Sequence, residues 1–245
     1  MKFNVLTLFP EMFTAVTGSI LGKAAEKGII DFDFVNIRDF SNDKHSKADD
    51  YPFGGGPGMV MMADPIFGAM ESVGAKDKKV IYMSPRGRII DQAKLEELAG
   101  EDELVILCGH YEGVDQRVLD YWDVEELSIG DYIVTGGELP AMVLIDSVSR
   151  LIPGVLASED AATDESIYSG LLEYPQYTQP RNYKDMDVPE VLVGGNHKLI
   201  HLWKFEEALK LTRERRPDLF EEFVKNSGEL SKDEQKVMEK VLNLL

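Results

Sequence analysis

Residues Leu127–Ile152 read LSIGDYIVTGGELPAMVLIDSVSRLI. The first part is rich in β-branched and aromatic residues, which favour a strand that continues to Val134. Gly136 and Gly137 then interrupt the pattern, because glycine reaches positive φ and lets another group approach the main chain. Apolar residues recur at helical spacing through the second half. The stretch predicts a strand, a glycine turn and a long helix, and the turn is either a ligand cradle or a simple connection.

Two similar units precede this stretch. Val80–Met83 is predicted as a buried strand that ends in the sequence SPRG, and a helix capped by Asp91 follows it. Leu104–Cys108 is predicted as the next strand, followed by the loop Gly109–Gly113 and a helix. Strands that alternate with helices predict an α/β fold with a mostly parallel sheet covered on both faces. The three loops therefore lie at one edge of the sheet, where ligands of open α/β folds bind.

The N-terminal part predicts two more strands, Phe3–Phe9 and Phe32–Ile37, with a helix over Pro10–Lys27 between them. The segment Phe53–Met59 reads FGGGPGM and cannot form a regular element. It is either a flexible connector or a backbone platform for a ligand.

Composition indicates a globular protein in a reducing compartment. The 245 residues fit one large or two modest domains, and Cys108 is the single cysteine. No apolar run reaches the roughly 20 residues that a membrane span needs, so we expect a cytoplasmic protein without a membrane partner. The net charge of −18 argues against nucleic acid, but Gly195–Pro217 carries six Lys or Arg against three Glu. Of the whole sequence, this segment has the charge expected of a surface that contacts the phosphates of a nucleic acid.

The character of the chain changes after Leu156. Residues 158–169 are small, polar and acidic and predict a mobile linker. The sequence thus divides into a sheet domain over 1–157 and a small helical domain over 170–245, with helices predicted at Asn196–Arg216 and Ser231–Leu245.

Several kinds of site are disfavoured. Gly18–Lys23, GSILGK, has one residue too few for a P-loop, and no GxGxxG follows a strand. The sequence HKLIH at His197–His201 lacks the glutamate of HExxH, and we predict no metal site. Cys108 with His110 and Asp115 suggests a thiol nucleophile, but a cysteine at the end of an apolar strand packs more often as an inert core residue. A pocket walled by glycine backbone suits an adenosine-type cofactor.

Nine stretches occur in a fixed order along the chain: FPEMF (9–13), FGGGPGM (53–59), YMSPRGR (82–88), CGHYEGVDQRV (108–118), SIGDYIVTGGELPAM (128–142), DSVSRLIPGVL (146–156), GLLEYPQYT (170–178), VPEVLVGGNH (188–197) and RRP (215–217). In these stretches the chain resembles the bacterial tRNA (guanine-N1-)-methyltransferases, members of the SPOUT class of knotted methyltransferases.

The resemblance implies a deep trefoil knot in the sheet domain and a homodimer with its active site at the subunit interface. It also implies S-adenosylmethionine as the methyl donor, bent among the three glycine loops. The residues implied to bind it are Tyr82, Ser84, Pro85, Gly109, Tyr111, Glu112, Gly113, Ile129, Gly130, Asp131, Tyr132, Ile133, Val134, Gly136, Gly137 and Pro140.

The implied methyl acceptor is N1 of the guanosine immediately 3′ of the anticodon in tRNA. This nitrogen carries a proton at neutral pH, so its methylation needs a base and a cation that stabilises charge on O6. Arg150 matches the arginine of the family. The aspartate of the family falls in the linker sequence Asp164-Glu165-Ser166. If the chain is aligned with the family from Arg150 without a gap, Glu165 takes the position of the base. If the register of the linker is shifted by one residue, Asp164 takes it.

The remaining implied features concern RNA. The residues expected to face it are Gly58, Arg181, His201, Lys204 and Arg215. A helix over Asn196–Arg216 groups the last three with Thr212 on one stripe, while Leu199, Trp203 and Leu209 turn inward. Gln179 stands where the family usually has arginine, and Arg181 is a candidate substitute. The family also suggests assistance by Mg²⁺, although the sequence shows no dedicated ligand cluster.

Overall fold

The computed structural model of this protein describes residues 1–156, 170–226, 228 and 230–243. They belong to two compact units, Met1–Glu159 and Asp160–Leu245. The predicted linker residues Asp164 and Glu165 lie outside the described residues.

The first unit alternates strands and helices. Its strands are β1 (Lys2–Thr7), β2 (Asp31–Asn36), β3 (Asp49–Asp50), β4 (Val60–Met61), β5 (Lys79–Ile89), β6 (Glu103–Cys108) and β7 (Glu125–Ser128). Its α-helices are α1 (Thr14–Thr17), α2 (Ile20–Glu26), α3 (Ala63–Ser72), α4 (Gln92–Ala99), α5 (Gln116–Tyr121) and α6 (Glu138–Arg150). Short 3-10 helices occur at Pro10–Phe13, Ile37–Phe40 and Ala75–Asp77.

Five of these strands form one sheet in the order β2-β1-β6-β5-β7, and every pair is parallel. Each face carries its own apolar cluster. One cluster includes Leu144 and Val148 of α6, and the other includes Ile66 and Met70 of α3. The predicted mostly parallel α/β sheet with both faces covered is therefore confirmed, and the carboxyl ends of β5, β6 and β7 lie along one edge.

Two predicted strand ends were wrong. Strand β7 ends at Ser128 rather than Val134, because the following apolar residues form a loop instead of pairing with β5. Strand β5 continues through the SPRG sequence to Ile89, with a shift of register against β7 between Met83 and Arg88. Gly87 makes this passage possible, since a Cβ there would lie 2.4 Å from the main chain of Glu126.

The single helix predicted over Pro10–Lys27 was also wrong. The segment contains a 3-10 turn and the two short helices α1 and α2, separated at Gly18 and Ser19. Ser19 has φ −125° and ψ −142°, which is not helical. The helix cap predicted at Asp91 is confirmed, because its side chain accepts a hydrogen bond from the Lys94 amide.

The second unit contains the hairpin β8 (Asn182–Tyr183) and β9 (Met186–Asp187) and the helices α7 (Glu190–Val193), α8 (His197–Arg215), α9 (Pro217–Asn226) and α10 (Lys232–Leu242). Its core includes Leu171, Leu209, Phe220 and Val241. Helix α8 agrees with the predicted helix, but Leu199 was wrongly predicted to turn inward and is 52% exposed. Within the described residues, no helix has the length and apolarity that crossing a membrane requires.

Candidate functional site

The three glycine loops surround one cavity at the carboxyl ends of β5, β6 and β7. All of the residues predicted to bind a cofactor line this cavity except Gly130 and Asp131. Five lining residues were not predicted: Met83, His110, Leu127, Ser128 and Thr135. Parallel strands that end at the same edge bring the loops together, as the alternation of strands and helices led us to expect.

Gly130 and Asp131 form a turn beside the cavity. The Ser128 hydroxyl donates to the Gly130 carbonyl at 3.0 Å and accepts from the Gly130 amide at 3.2 Å. Gly130 has φ +150°, and a Cβ there would lie 2.5 Å from the Tyr132 ring. The glycine is therefore needed for the turn and for the position of Tyr132, while Asp131 is exposed to solvent.

The side chain of Tyr82 forms a buried support under the second loop. A Cβ on Gly109 would lie 2.6 Å from the Tyr82 ring and 2.7 Å from its hydroxyl oxygen. Burial raises the pKa of the Tyr82 phenol, and the negative charge of Glu126 raises it further. The Tyr82 phenol is thus neutral and packs closely against the second loop. Position 109 requires glycine because the ring leaves no room for a Cβ.

Of the two reasons predicted for Gly136 and Gly137, the close approach of another group is confirmed, whereas neither residue adopts a positive φ. Gly137 has φ −75° and ψ −11°, so it needs no positive φ. Its amide donates to the Gly109 carbonyl at 2.8 Å, and a Cβ there would lie 2.7 Å from the Cys108 Cα and from the Gly109 nitrogen. The glycine is needed because the start of α6 contacts the main chain at the end of β6. This contact fixes the third loop against the second.

The glycine loop FGGGPGM is hydrogen-bonded to the second of the three glycine loops, Gly109–Gly113. The Glu112 amide donates to the Met59 carbonyl, and the Met61 amide donates to the Gly113 carbonyl, each at 2.9 Å. Gly58 has φ +82°, and a Cβ there would lie 2.5 Å from the Glu112 carboxylate. Gly58 therefore lies beside the cavity, next to a predicted cofactor-binding residue.

Cys108 does not have the surroundings of a nucleophile. It is fully buried at the end of β6, and burial raises the pKa of its thiol well above the usual value, with a further rise from the charge of Glu138. A catalytic cysteine instead needs access and a lowered pKa. The interpretation of Cys108 as an inert core residue therefore fits its environment.

Sequence reasoning missed a buried polar cluster beneath the cavity. It consists of Thr7, His110 and Glu138, and the Glu138 carboxylate is hydrogen-bonded to each of the other two. These residues are far apart in the sequence, and each belongs to a different segment. The one local signal was an acidic residue directly after the glycine pair, at the first position of a helix that is otherwise buried on that side.

Arg150 lies at the far end of α6 from the cavity. The helix begins at Glu138, beside the glycine loop, and rises about 1.5 Å per residue, so Arg150 is roughly 18 Å further along the axis. An arginine side chain cannot span that distance. In the described part of the chain, no group of three or more His, Cys, Asp or Glu residues is placed to hold a metal ion.

The predicted RNA-facing residues of the second unit are partly engaged with neighbours. His201 Nε2 lies 3.0 Å from a Glu234 carboxylate oxygen, and the Lys204 ammonium lies 4.5 Å from the centre of the Tyr174 ring. Thr212 was wrongly placed on the exposed stripe. It is buried, and its hydroxyl donates to the Ala208 carbonyl and accepts from the Leu172 amide.

Comparison with known proteins gives a consistent family. Residues 1–222 match the family model described as tRNA (Guanine-1)-methyltransferase TrmD. The chain is 56% identical over 224 residues to the tRNA (guanine-N(1)-)-methyltransferase of Ruminiclostridium cellulolyticum, covering 90% of this chain and 96% of the relative. It is 51% identical over 239 residues to that of Clostridium perfringens strain SM101, covering 97% and 99%. It is also 51% identical over 250 residues to that of Alkaliphilus oremlandii, covering 98% of each chain. The chain therefore belongs to the tRNA (guanine-1)-methyltransferase family.

Proposed function

We propose that this protein transfers a methyl group from S-adenosylmethionine to N1 of the guanosine immediately 3′ of the anticodon in tRNA. The observation that carries the proposal is the convergence of the three glycine loops on one cavity. Membership of the family and the names of its relatives support the reaction.

The cavity suits the proposed cofactor in its chemistry. Gly109, Gly113, Gly136 and Gly137 line its wall without side chains, so a cofactor can approach the main chain closely there. Glu112 is the acidic residue among the described lining residues, and its carboxylate would attract the amino group or the sulfonium of the donor. S-adenosylmethionine supplies the electrophilic methyl group, and the loops hold and orient it.

The two proposed catalytic groups act on guanine. Glu165, or Asp164 in the shifted register, would remove the proton from N1 as a general base. Arg150 would stabilise the negative charge that builds on O6. Because Arg150 is too far along α6 to reach its own cavity, we propose that it serves the cavity of a second subunit.

An exposed stripe on α6 supports a homodimer. Leu139, Val143, Asp146 and Arg150 follow one another at three- and four-residue spacing and therefore share one side of the helix. Leu139 is 50% and Val143 is 49% exposed. Two apolar residues in line with the proposed catalytic arginine favour a subunit contact that completes the active site.

Replacement of Val143 by glutamate is expected to dissociate the dimer and to abolish methyl transfer, because it places a charge in an apolar contact. Binding of S-adenosylmethionine should persist, since the cavity is built within one chain. Sedimentation velocity, calorimetry and methyl-transfer assays measure the three properties. Tyr121→Glu, at an exposed position of α5, is the control and should remain dimeric. A fully active Val143→Glu monomer would exclude a site shared between subunits.

We also propose that the main chain of the first unit is threaded as a deep trefoil knot. Strand β6 lies between β1 and β5, and the end of β5 passes the main chain of β7 at Gly87. The start of α6 likewise contacts the end of β6 through Gly137. A chain trace through these three places in an electron-density map would test the knot.

The second unit is proposed to be the tRNA-binding domain, with residues 158–169 as a linker. Arg181 and Arg215 are its proposed phosphate contacts, together with Lys204, His201 and, from the first unit, Gly58.

We expect Arg215→Ala to weaken tRNA binding about fivefold to tenfold and to lower the number of ions released on binding, read from the salt dependence, by roughly one. Fluorescence anisotropy at several salt concentrations measures both. Lys232→Ala, a control at the start of α10, should leave the salt slope unchanged; an unchanged slope for Arg215→Ala would exclude this contact.

A cytoplasmic location and assistance by Mg²⁺ stay predictions.

The experiment that tests the proposed function is methyl transfer from labelled S-adenosylmethionine to tRNA transcripts. Transcripts with guanosine or with adenosine beside the anticodon should differ, with incorporation only for guanosine. No guanosine-dependent incorporation would favour a non-catalytic RNA-binding protein. Incorporation into ribosomal RNA but not into tRNA would favour a SPOUT enzyme with a different substrate.

A further inference from the structure

A buried polar cluster joins three segments beneath the cavity: the end of β1, the second cofactor loop and the start of α6. The Thr7 hydroxyl donates to one Glu138 carboxylate oxygen at 2.6 Å, and His110 Nε2 lies 2.6 Å from the other. Glu138 is 1% exposed. Of the three residues only His110 lines the cavity, so Glu138 and Thr7 act on a ligand through their neighbours.

The Thr7 hydroxyl and both Glu138 carboxylate oxygens have a hydrogen-bond partner. The Thr7 hydroxyl accepts from the Phe9 amide at 2.9 Å while it donates to Glu138, and the Phe9 ring packs against the His110 ring at 4.9 Å. When Glu138 is ionised it can only accept, so the hydrogen of the short contact lies on Nε2 of His110. Loss of Thr7 or His110 would leave one oxygen of the buried Glu138 carboxylate without its hydrogen bond, and an unsatisfied buried group costs more free energy than an exposed one.

The cluster also occupies the space beside the third loop. A Cβ on Gly136 would lie 2.4 Å from Cε1 of His110 and 2.7 Å from a Glu138 oxygen. In the second loop, Tyr111 directly follows His110 and has φ +58°, a left-handed conformation that costs a non-glycine residue energy. Such a conformation persists only where its surroundings hold it, and the His110 side chain is held from below by Glu138.

From these contacts we infer that Glu138, assisted by Thr7, is a positioning residue that holds His110 and through it sets the main chain of the second and third cofactor loops. The inference rests on the proposed function, because it concerns binding of S-adenosylmethionine in the same cavity. Glu138 is the first residue of α6, so its contact with His110 joins the helix to the loop that it positions.

The test is the affinity for S-adenosylmethionine, measured by calorimetry, for variants that alter the cluster without changing its volume. Glu138→Gln and Thr7→Val are each expected to raise Kd about tenfold or more, as expected when a buried hydrogen-bonded group loses its partner. Thr7→Ser keeps the hydroxyl and should restore the affinity that Thr7→Val loses. A purely structural role would lower the melting temperature of the variants and leave Kd unchanged.

Glu103→Gln is the matched control. Glu103 forms an ion pair with Lys78 at 2.6 Å at the opposite end of β6, so its loss should affect stability and not cofactor affinity. Equal affinity of Glu138→Gln and wild type would overturn the inference, as would equal weakening by Glu103→Gln. If Glu138→Gln fails to fold, the pair Thr7→Val and Thr7→Ser decides in the same way. Wild-type protein that binds no S-adenosylmethionine would overturn the proposed function itself.

Discussion

Gly137→Ala is expected to abolish measurable binding of S-adenosylmethionine, with Kd raised about 100-fold or more. The added Cβ would lie 2.7 Å from the Cys108 Cα and from the Gly109 nitrogen, both main-chain atoms that cannot rotate away. The start of α6 must therefore move from the end of β6 and break the 2.8 Å hydrogen bond from Gly137 to the Gly109 carbonyl. This movement separates two of the three loops. Overpacking of this kind also costs about 1–3 kcal/mol of stability.

Gly194→Ala is the matched control for this substitution. Gly194 has φ −78° and ψ −8°, nearly the same conformation as Gly137, but a Cβ there would lie 3.5 Å from its nearest neighbour. The variant should keep wild-type affinity for the cofactor. Calorimetry measures binding, and circular dichroism separates a local change from unfolding. Wild-type affinity in Gly137→Ala would show that the start of α6 adjusts and that the close contact does not define the pocket.

The parallel sheet was predictable because its central strands are buried on both faces. Such strands read as continuous apolar runs, as in the LVIL residues of β6, and the turn residues that follow mark their ends. The same rule failed after Ser128. Ile133 and Val134 are β-branched, yet they are exposed at the cavity rather than paired with β5. Propensity reports how well a residue suits a packed surface, and it does not tell whether a partner strand is present.

Other features depend on contacts between distant segments, which local patterns do not contain. A close approach to Gly137 was predicted, but the sequence could not show that the approaching group is the main chain at the end of β6. The cluster of Thr7, His110 and Glu138 joins residues up to 131 positions apart. The continuation of β5 through Gly87 depends in the same way on the main chain of β7. The resemblance to a family predicted which residues line the cavity. The alternation of strands and helices alone predicted that the three loops lie at one edge of the sheet.

Glu165→Gln is expected to lower the rate of methyl transfer by about 10²- to 10⁴-fold, the range in which general bases contribute. The amide cannot accept the proton of guanine N1, while the side chain keeps its size. Asp164→Asn should lose far less activity, since counting without a gap from Arg150 gives Glu165 the base position. Affinity for S-adenosylmethionine should survive both changes, because the described residues that line the cavity come from three other loops.

Single-turnover assays with a saturating tRNA transcript measure the chemical step and separate it from RNA binding. A greater loss of activity in Asp164→Asn than in Glu165→Gln would reassign the base and indicate a shifted register. Arg150→Lys provides an independent comparison, because lysine keeps the positive charge but loses the planar guanidinium. If Arg150 stabilises O6 while Glu165 removes the proton, the two groups act on one transition state. The double variant should then lose less activity than the product of the two single losses.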